Sequence, residues 1–386
     1  MKWIRVYAGL PCLLGLFFLL GTEPVDGQEG RFWRWAKRTA GRFSGDSLSP
    51  EKPRFLIYPT VAYAPETSIE IGFSSLLLYH AKNNAELNRL SEVQAFTFIT
   101  LRGQYGLWFD HALYGDQDKW FFLGRLRFQR FPLLYFGIGP DTDGDDPAVI
   151  DASYVLIRER VLRKIANNFF GGVEFDYQNL YQVEFQQPDA NLFDPPRGSG
   201  GSANLGIGAG LVYDNRHNVL NVRKGFFSEL AYLNYNKRWG SAFNFQFITF
   251  DSRLYRPIGD KQVLALQLAG NFTTGDVPFN QLALVGGETI MRGYYLGRYR
   301  DRSYLATQAE YRWLPFPFSK RFGGVVFAAL GSVAPSPLGF RARNLLPTGG
   351  VGVRYLLFAK KDIFLRFDVG ATPEGFGFYI FTGEAF

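Results

Sequence analysis

Apolar and polar residues alternate with a period of two along the chain from residue 54 onward. In the segment 362–369, the odd positions from Ile363 to Val369 are apolar, and the charged residues Arg366 and Asp368 lie between them. Successive side chains of a β-strand point to opposite faces, so such a segment predicts a strand with one apolar face and one polar face. The pattern indicates an all-β protein.

Sixteen alternating segments can be counted in this part of the chain. An even number of strands lets a closed antiparallel barrel keep both chain ends on one side of a membrane. We therefore predict a transmembrane antiparallel β-barrel of about 16 strands. The predicted strands are 54–63, 68–79, 91–102, 104–114, 118–131, 150–163, 167–182, 202–214, 224–236, 241–256, 261–274, 303–314, 322–333, 347–359, 361–371 and 375–386.

The connections between these strands differ in length in the way that an outer-membrane barrel requires. If the first strand runs outward, four long connections lie on the outer side, and the periplasmic connections are mostly short. The long connections are 132–149, 183–201, 275–302 and 334–346, and the short ones are 115–117, 164–166, 257–260 and residue 360.

Two places depart from a regular barrel pattern. The connection 80–90 is long for the periplasmic side. In residues 243–250 the apolar positions shift from odd numbers to even numbers, and this change of phase predicts a β-bulge.

Alternation alone does not distinguish a membrane barrel from a soluble β-sandwich, whose apolar face is turned inward. The number of strands and the placement of charges in the middle of strands favour a barrel with a polar lumen. Aromatic residues make up 17% of the chain, as expected for aromatic girdles at the membrane interfaces. The mid-strand charges are Arg125, Arg127, Glu310, Arg312 and Arg366.

The first residues have the features of a secretory signal peptide. Lys2 and Arg5 precede an apolar run from residue 6 to residue 20, and a plausible cleavage site lies before Gln28. We predict a signal peptide over residues 1–27; the alternative is an anchor that stays attached. Cys12 is the only cysteine, so removal of this segment leaves no thiol for a disulfide or a metal site.

Residues 28–53 form a lead-in segment before the predicted barrel domain of residues 54–386. The basic and aromatic stretch from Arg31 to Arg38 favours a short interfacial helix on the periplasmic side, with a disordered tether as the alternative. Its 26 residues are too few for a separate folded domain.

The composition argues against nucleic-acid binding, cofactors and catalysis. The formal net charge is +7, but the charges are scattered among strands and loops. His80, His111 and His217 are the only histidines, and no two of them have the spacing of a metal site or a catalytic pair. The acidic run 141–146 lacks the downstream glutamate of a calcium loop, so we interpret it as a solvated loop.

The most specific motif lies in the sixth outer loop, in the sequence GGETIMRGYYLGRYRD of residues 286–301. It resembles the barrel domain of the BamA/TamA family, also called the bacterial surface antigen family. In that family an Arg-Gly-aromatic tip folds back into the lumen. The resemblance assigns Arg292, Gly293 and Tyr294 as the lumen anchor of this loop.

Weaker motifs agree with the same family over residues 54–386. Asp214 and Arg216, followed by Gly225, resemble a periplasmic turn of the family, although His217 stands where an acid is common. The chain ends on an aromatic residue, Phe386, which we place on the apolar face of the last strand and which resembles a signal for barrel assembly.

Two features depart from the family. Members with assembly roles carry periplasmic POTRA domains before the barrel, and we expect none here. Ala329 stands where the family often has the acidic partner of the loop arginine. We therefore expect Arg292 to pair with Glu310 on the next strand, close to Arg312, since a long loop needs an anchor and a guanidinium binds a carboxylate with two hydrogen bonds.

The resemblance implies an outer-membrane barrel that inserts or translocates polypeptides, or lipids. A client strand would pair with the edge between the strands 54–63 and 375–386. The expected partners are client polypeptides, other outer-membrane subunits, membrane lipid and lipopolysaccharide. One alternative is a passive pore favouring anions, and another is a structural or partner-binding subunit of a larger complex. The arginines of the pore hypothesis are Arg125, Arg127, Arg312 and Arg366.

Overall fold

The computed structural model describes residues 53–64, 68–84, 86–187, 193–216, 221–358 and 362–386. The predicted signal peptide, the lead-in up to residue 52 and His217 lie outside these residues. Among the described residues, no helix is both long enough and apolar enough to cross a membrane. The helical segments are single 3₁₀ turns at Ala81–Asn83, Asp116–Asp118, Lys237–Trp239, Phe279–Gln281 and Ala342–Asn344.

The described residues form an almost purely β structure. In chain order the strands are β1 (Arg54–Ala64), β2 (Ser68–His80), β3 (Leu90–Thr100), β4 (Tyr105–Tyr114), β5 (Trp120–Arg130), β6 (Leu133–Tyr135), β7 (Ala148–Ala166), β8 (Phe169–Gln186), β9 (Ser202–Asp214), β10 (Gly225–Tyr235), β11 (Phe245–Pro257), β12 (Gln262–Gly275), β13 (Ala283–Val285), β14 (Tyr299–Asp301), β15 (Ser303–Trp313), β16 (Phe322–Ala334), β17 (Leu346–Phe358), β18 (Ile363–Thr372) and β19 (Gly375–Thr382).

Sixteen of these strands make the wall of one closed antiparallel barrel, in which each strand pairs with its neighbours along the chain and β1 meets β19. The short strand β6 pairs with β7 beyond the end of β5. The hairpin of β13 and β14 belongs to the connection between β12 and β15 and forms a separate small sheet. The predicted all-β barrel of 16 strands is confirmed.

The closure between the first and last strands is the weakest pairing in the wall. β1 pairs with β2 along its whole length, from Arg54↔Leu78 to Ala64↔Ser68. In the described part of the chain, β1 and β19 share a single register pair, Tyr63↔Ile380. Few ladder hydrogen bonds between described residues therefore hold this seam.

The two faces of the wall have the polarity of a membrane barrel. On β8, Val173 and Phe175 point outward and are 63% and 41% exposed, whereas Glu174 and Asp176 point inward and are 1% and 0% exposed. A soluble sandwich would bury the apolar residues and expose the acids. Here the outward band suits hydrocarbon, and inside the lumen Asp176 pairs with Arg158 and Glu174 with Arg160.

Both ends of all sixteen predicted strands agree with the structure within four residues, and two local predictions are wrong. β11 keeps a continuous register with both neighbours, so there is no bulge in residues 243–250. The phase shift arises because both faces of β11 carry apolar residues. The ring of Phe245 lies inside the barrel, stacked on Tyr235 at 4.0 Å, whereas Ile248 is exposed on the outside.

The last strand ends at Thr382 and does not continue to Phe386. Gly383 has a φ of 89°, which favours glycine, and its N–H donates to Phe364 O at 2.7 Å. The chain turns inward at this residue, so Phe386 is buried and does not share the outward face of Phe376. The position predicted for Phe386, on the apolar outer face, is therefore wrong.

Candidate functional site

The sixth outer loop, residues 276–302 between β12 and β15, reaches into the lumen. At its tip, Met291 and Gly293 have φ values of 59° and 112°. These two left-handed residues reverse the chain around Arg292, whose side chain is completely buried. The loop sequence thus delivers one guanidinium to the interior of the barrel.

Two acidic residues on different strands receive this guanidinium. Arg292 donates one hydrogen bond to Glu310 of β15 and another to Asp368 of β18. Its central carbon lies 3.7 Å from the ring centroid of Phe327 on β16. A buried arginine is stable only when it is paired and hydrogen-bonded, and this geometry provides both.

Gly293 is required where the loop passes closest to the wall. A Cβ atom on Gly370 of β18 would lie 2.5 Å from Arg292 O, and one on Gly293 would lie 2.7 Å from the side chain of Thr372. The N–H of Gly293 donates to the Tyr379 hydroxyl at 3.0 Å. The two glycines allow the loop backbone and β18 to come into direct contact.

Tyr294 completes the motif. Its hydroxyl donates to Pro347 O at 3.2 Å, and its ring packs edge-on against Tyr299 at 5.9 Å. Burial raises the pKa of Tyr294 to about 12, and the nearby charge of Glu374 adds to the effect. The aromatic side chain therefore stays neutral and links the loop tip to the start of β17.

The anchor is part of a larger buried network of four arginines and three acids on the inner wall. Each acid contacts two or more arginines, so few of the buried charges lack an opposite charge nearby. Besides the two pairs of Arg292, the contacts are Arg312–Glu310 at 2.7 Å, Arg354–Glu384 at 2.9 Å and Arg366–Asp368 at 3.1 Å, and Arg354 also contacts Asp368.

Of the two partners expected from the sequence, Glu310 contacts Arg292 directly, whereas Arg312 lies on the opposite oxygen of Glu310. The expectation missed Asp368. The alternating segment 362–369 could have indicated this residue, because Asp368 lies at one of its polar positions, which face the lumen. Ala329 lies in the same buried apolar cluster as Met291 and Tyr294, and the acid that β16 lacks is supplied by β18.

Other contacts hold the loop at the outer end of the barrel. Arg298 donates to Glu374 at 2.6 Å and to the Thr142 hydroxyl at 3.0 Å, while Gly139 N–H donates to Arg300 O at 2.8 Å. The sixth loop is thus joined to the connections after β6 and β18. The predicted solvated loop agrees with this arrangement, because the aspartates of the run 141–146 are exposed.

The turn after β9 contains a second set of motif residues. Asp214 accepts from the Arg216 guanidinium at 2.8 Å and from its backbone N–H at 3.0 Å. Gly225 has a φ of 122°, and a Cβ there would lie 2.7 Å from Arg216 Cα. Arg89, from the connection after β2, donates to Asp214 O at 2.6 Å. The motif therefore fixes the turn and joins it to a neighbouring connection.

Phe386 lies inside the barrel at the same end. Its ring is 6.1 Å from the Tyr255 ring and 4.7 Å from the Arg312 guanidinium carbon. Val222, from the connection between β9 and β10, belongs to the same buried cluster. The tail of residues 383–386 thus packs on the network of charges that holds Arg292.

A model of the Omp85 superfamily domain matches residues 100–357, which is more than half of the chain. The chain belongs to the Omp85 superfamily. The BamA/TamA-like resemblance of the sequence and the outer-membrane location are thereby confirmed.

Solved structures have the same fold at low sequence identity. BamA from Haemophilus ducreyi lacking POTRA domains 1–3 aligns with a TM-score of 0.53 at 12% identity, covering 86% of this chain and 70% of that one. CdiB from Acinetobacter baumannii aligns with a TM-score of 0.55 at 10% identity, covering 85% of this chain and 59% of that one. CdiB from Escherichia coli aligns with a TM-score of 0.52 at 9% identity, covering 85% of this chain and 62% of that one. This Omp85 chain thus spans about three fifths of each CdiB chain. No curated protein sequence gives a significant match.

The arginines of the pore hypothesis are mostly occupied in this Omp85 barrel. The side chains of Arg312 and Arg366 are 0% and 3% exposed and paired with acids, and Arg127 contacts Asp110 at 2.7 Å. Arg125 also lies within 3.5 Å of Asp110, although 59% of its side chain is exposed. A row of paired arginines offers little positive charge to a permeating anion.

The two histidines that the structure describes have structural contacts. His111 lies 3.2 Å from Glu159 on the outer face, and His80 is hydrogen-bonded to Asn88 O at 2.8 Å. The described residues contain no group of three His, Cys, Asp or Glu residues that could hold a metal ion.

Proposed function

We propose that this Omp85 barrel inserts polypeptides into the outer membrane or translocates them across it. The single observation that carries the proposal is a lumen entered by the anchored sixth loop, in a wall whose closure has one register pair among the described residues, Tyr63↔Ile380. The structural neighbours named BamA and CdiB belong to the same fold. A barrel closed in this way can open laterally without losing its interior network.

In the proposed mechanism, the free edge of β1 pairs with an extended client strand. Unpaired N–H and C=O groups of a strand edge bind another strand in register. Arg292 keeps the sixth loop inside the lumen and holds β15 and β18 together, so that the wall stays ordered while the seam opens. The partners are client polypeptides and neighbouring outer-membrane subunits, in a membrane of lipid and lipopolysaccharide. The proposal includes no catalytic step and no cofactor.

A disulfide across the seam tests the proposal. The barrel has no cysteine of its own, because Cys12 is the only one in the chain. Cysteines at Tyr63 and Ile380 would join β1 to β19, whereas cysteines at the paired residues Leu230 and Phe250 would join β10 to β11 as a control. Each variant replaces the wild-type protein in cells that depend on it, with and without reductant.

We expect the locked seam, and not the locked control, to lower the amounts of client proteins until reductant is added. Quantitative mass spectrometry of the outer membrane reports insertion of other barrels, and the same measurement on the culture medium reports translocation. If both protein sets are unchanged while the Tyr63–Ile380 disulfide is complete, the proposal is wrong. A steady conductance in planar bilayers that survives the lock would support the pore instead.

A further inference from the structure

The connection between β16 and β17, residues 335–345, lies against the outer surface of the barrel. Phe340 packs edge-on against Phe272 of β12, with 6.5 Å between the ring centroids. Phe272 is an outward residue, since it is paired with the exposed residue Ile248. This connection therefore covers part of the surface that faces the membrane.

A pocket of about 250 Å³ lies between this connection and the wall. Its sides are formed by Leu268, Leu305 and Leu330 of β12, β15 and β16, and its cover by Phe340 and Leu345. The three wall leucines are each more than a third exposed, so the pocket opens among lipid-facing side chains. Its volume is below the roughly 300–1,000 Å³ of pockets for drug-sized ligands, as suits a single narrow chain.

The border of the pocket is positively charged. Arg341 lines it, and Arg343 is exposed two residues further along the same short segment. Neither arginine forms an ion pair with another described residue. The stretch 331–350 contains no aspartate or glutamate. An apolar cavity next to unneutralised guanidinium groups is complementary to a ligand with an apolar chain and an anionic head.

We propose that this pocket binds one acyl chain of a membrane lipid whose phosphate headgroup has a net negative charge, and that Arg341 binds this phosphate. Arginine is well suited to phosphate because its planar guanidinium donates paired hydrogen bonds. The pocket opens at the end of the wall that carries the sixth loop, so the lipid belongs to the outer leaflet. A bound peptide fits less well, because an almost wholly apolar lining would leave its backbone groups unsatisfied.

Native mass spectrometry of the full chain in detergent micelles tests the site. The protein is titrated with phosphatidylglycerol, with phosphatidylcholine of the same acyl chains, and with diphosphoryl lipid A. The variants are Arg341→Ala and Leu305→Trp, which remove the charge and fill the pocket. The matched controls are Arg238→Ala, an exposed arginine at another outer turn, and Leu230→Trp, an exposed lipid-facing leucine of β10.

We expect one tightly bound anionic lipid on the wild type. Arg341→Ala should weaken the binding of phosphatidylglycerol about fivefold, the usual effect of one basic residue at an anionic membrane surface, and leave phosphatidylcholine unchanged. Leu305→Trp should weaken both lipids, and the controls neither. The phosphatidylglycerol and lipid A arms show which phosphate source binds more tightly. If Leu305→Trp does not fold, Leu330→Trp fills the same pocket.

The inference is overturned if the two pocket variants retain lipid as the controls do, or if the wild type takes up phosphatidylcholine and phosphatidylglycerol equally. A second copy of the chain retained in place of lipid would overturn it as well. Two strands, β17 and β18, separate the pocket from the seam, and the two tests measure different quantities, so failure of one test leaves the other intact.

Discussion

Arg292 of the sixth outer loop and Asp368 of β18 form a buried ion pair although 76 residues separate them in the chain. The same guanidinium contacts Glu310 of β15. One side chain therefore joins a loop to two strands that are not neighbours in the wall, since β16 and β17 lie between them. Arg292 therefore fixes the loop to the inner face of the barrel wall between β15 and β18.

Replacing Arg292 with alanine should strongly destabilise the barrel. The change removes two hydrogen bonds between charged groups, each of which contributes about 1.5–3 kcal/mol, whereas Glu310 and Asp368 keep their ion pairs with the other arginines of the network. Arg292→Lys should recover only part of the loss, since an ammonium does not span two carboxylates as a guanidinium does. Urea-induced unfolding in micelles measures the effect, with Arg343→Ala as an exposed control. Equal unfolding midpoints for Arg292→Ala and this control would show that the network does not depend on the loop.

A methyl group on Gly370 should displace the loop tip without removing any charge. The added Cβ would lie 2.5 Å from Arg292 O and 2.7 Å from Gly293 N, so the loop backbone has to move away from β18. We expect trypsin to cut Gly370→Ala within the sixth loop several times faster than the wild type. Gly200→Ala is the control, because a Cβ at Gly200 would meet no atom within 4 Å. Identical cleavage of the two variants would contradict the close approach.

Alanine should destabilise the protein more at Gly225, in the motif turn, than at Gly240, whose backbone also has a positive φ. Gly225 and Gly240 both have a positive φ, of 122° and 100°, so alanine is strained at either position. Only Gly225 is also crowded, since a Cβ there would lie 2.7 Å from Arg216 Cα, whereas Gly240 has open space. In thermal unfolding, the free energy of unfolding of Gly225→Ala should be lower than that of Gly240→Ala by more than about 1 kcal/mol. The reverse order would mean that the turn can relax around the methyl group.

Phe386 should contribute to stability from inside the barrel. Truncation of a buried phenylalanine to alanine costs about 3–5 kcal/mol, and Phe386 is 8% exposed. Phe376→Ala, at a residue that is 70% exposed on β19, should cost much less. If Phe386 also serves as an assembly signal, Phe386→Ala should lower the amount of barrel in cells more than its unfolding free energy explains. Comparable losses for the two variants in refolded protein would contradict the buried position.

The alternation of side chains was a reliable guide to the wall because it is a local property. On β8, the difference between Val173 and Glu174 is set by neighbouring residues and needs no knowledge of the rest of the chain. The pairing of Arg292 with Glu310 could also be anticipated, since Glu310 lies on the strand that directly follows the loop. Both inferences depend on short stretches of sequence.

The sequence by itself determined the strands of the wall, their order and the loop that carries the anchor. Hydrophobic alternation and connection length are local properties that can be taken directly from the sequence. Only the tertiary structure decided that Asp368 meets Arg292, that Phe386 turns inward after Gly383, and that Phe245 packs inside on Tyr235. These contacts depend on how a closed barrel brings distant strands to the same height across its lumen. That geometry follows from the register of the whole wall, which no single segment encodes.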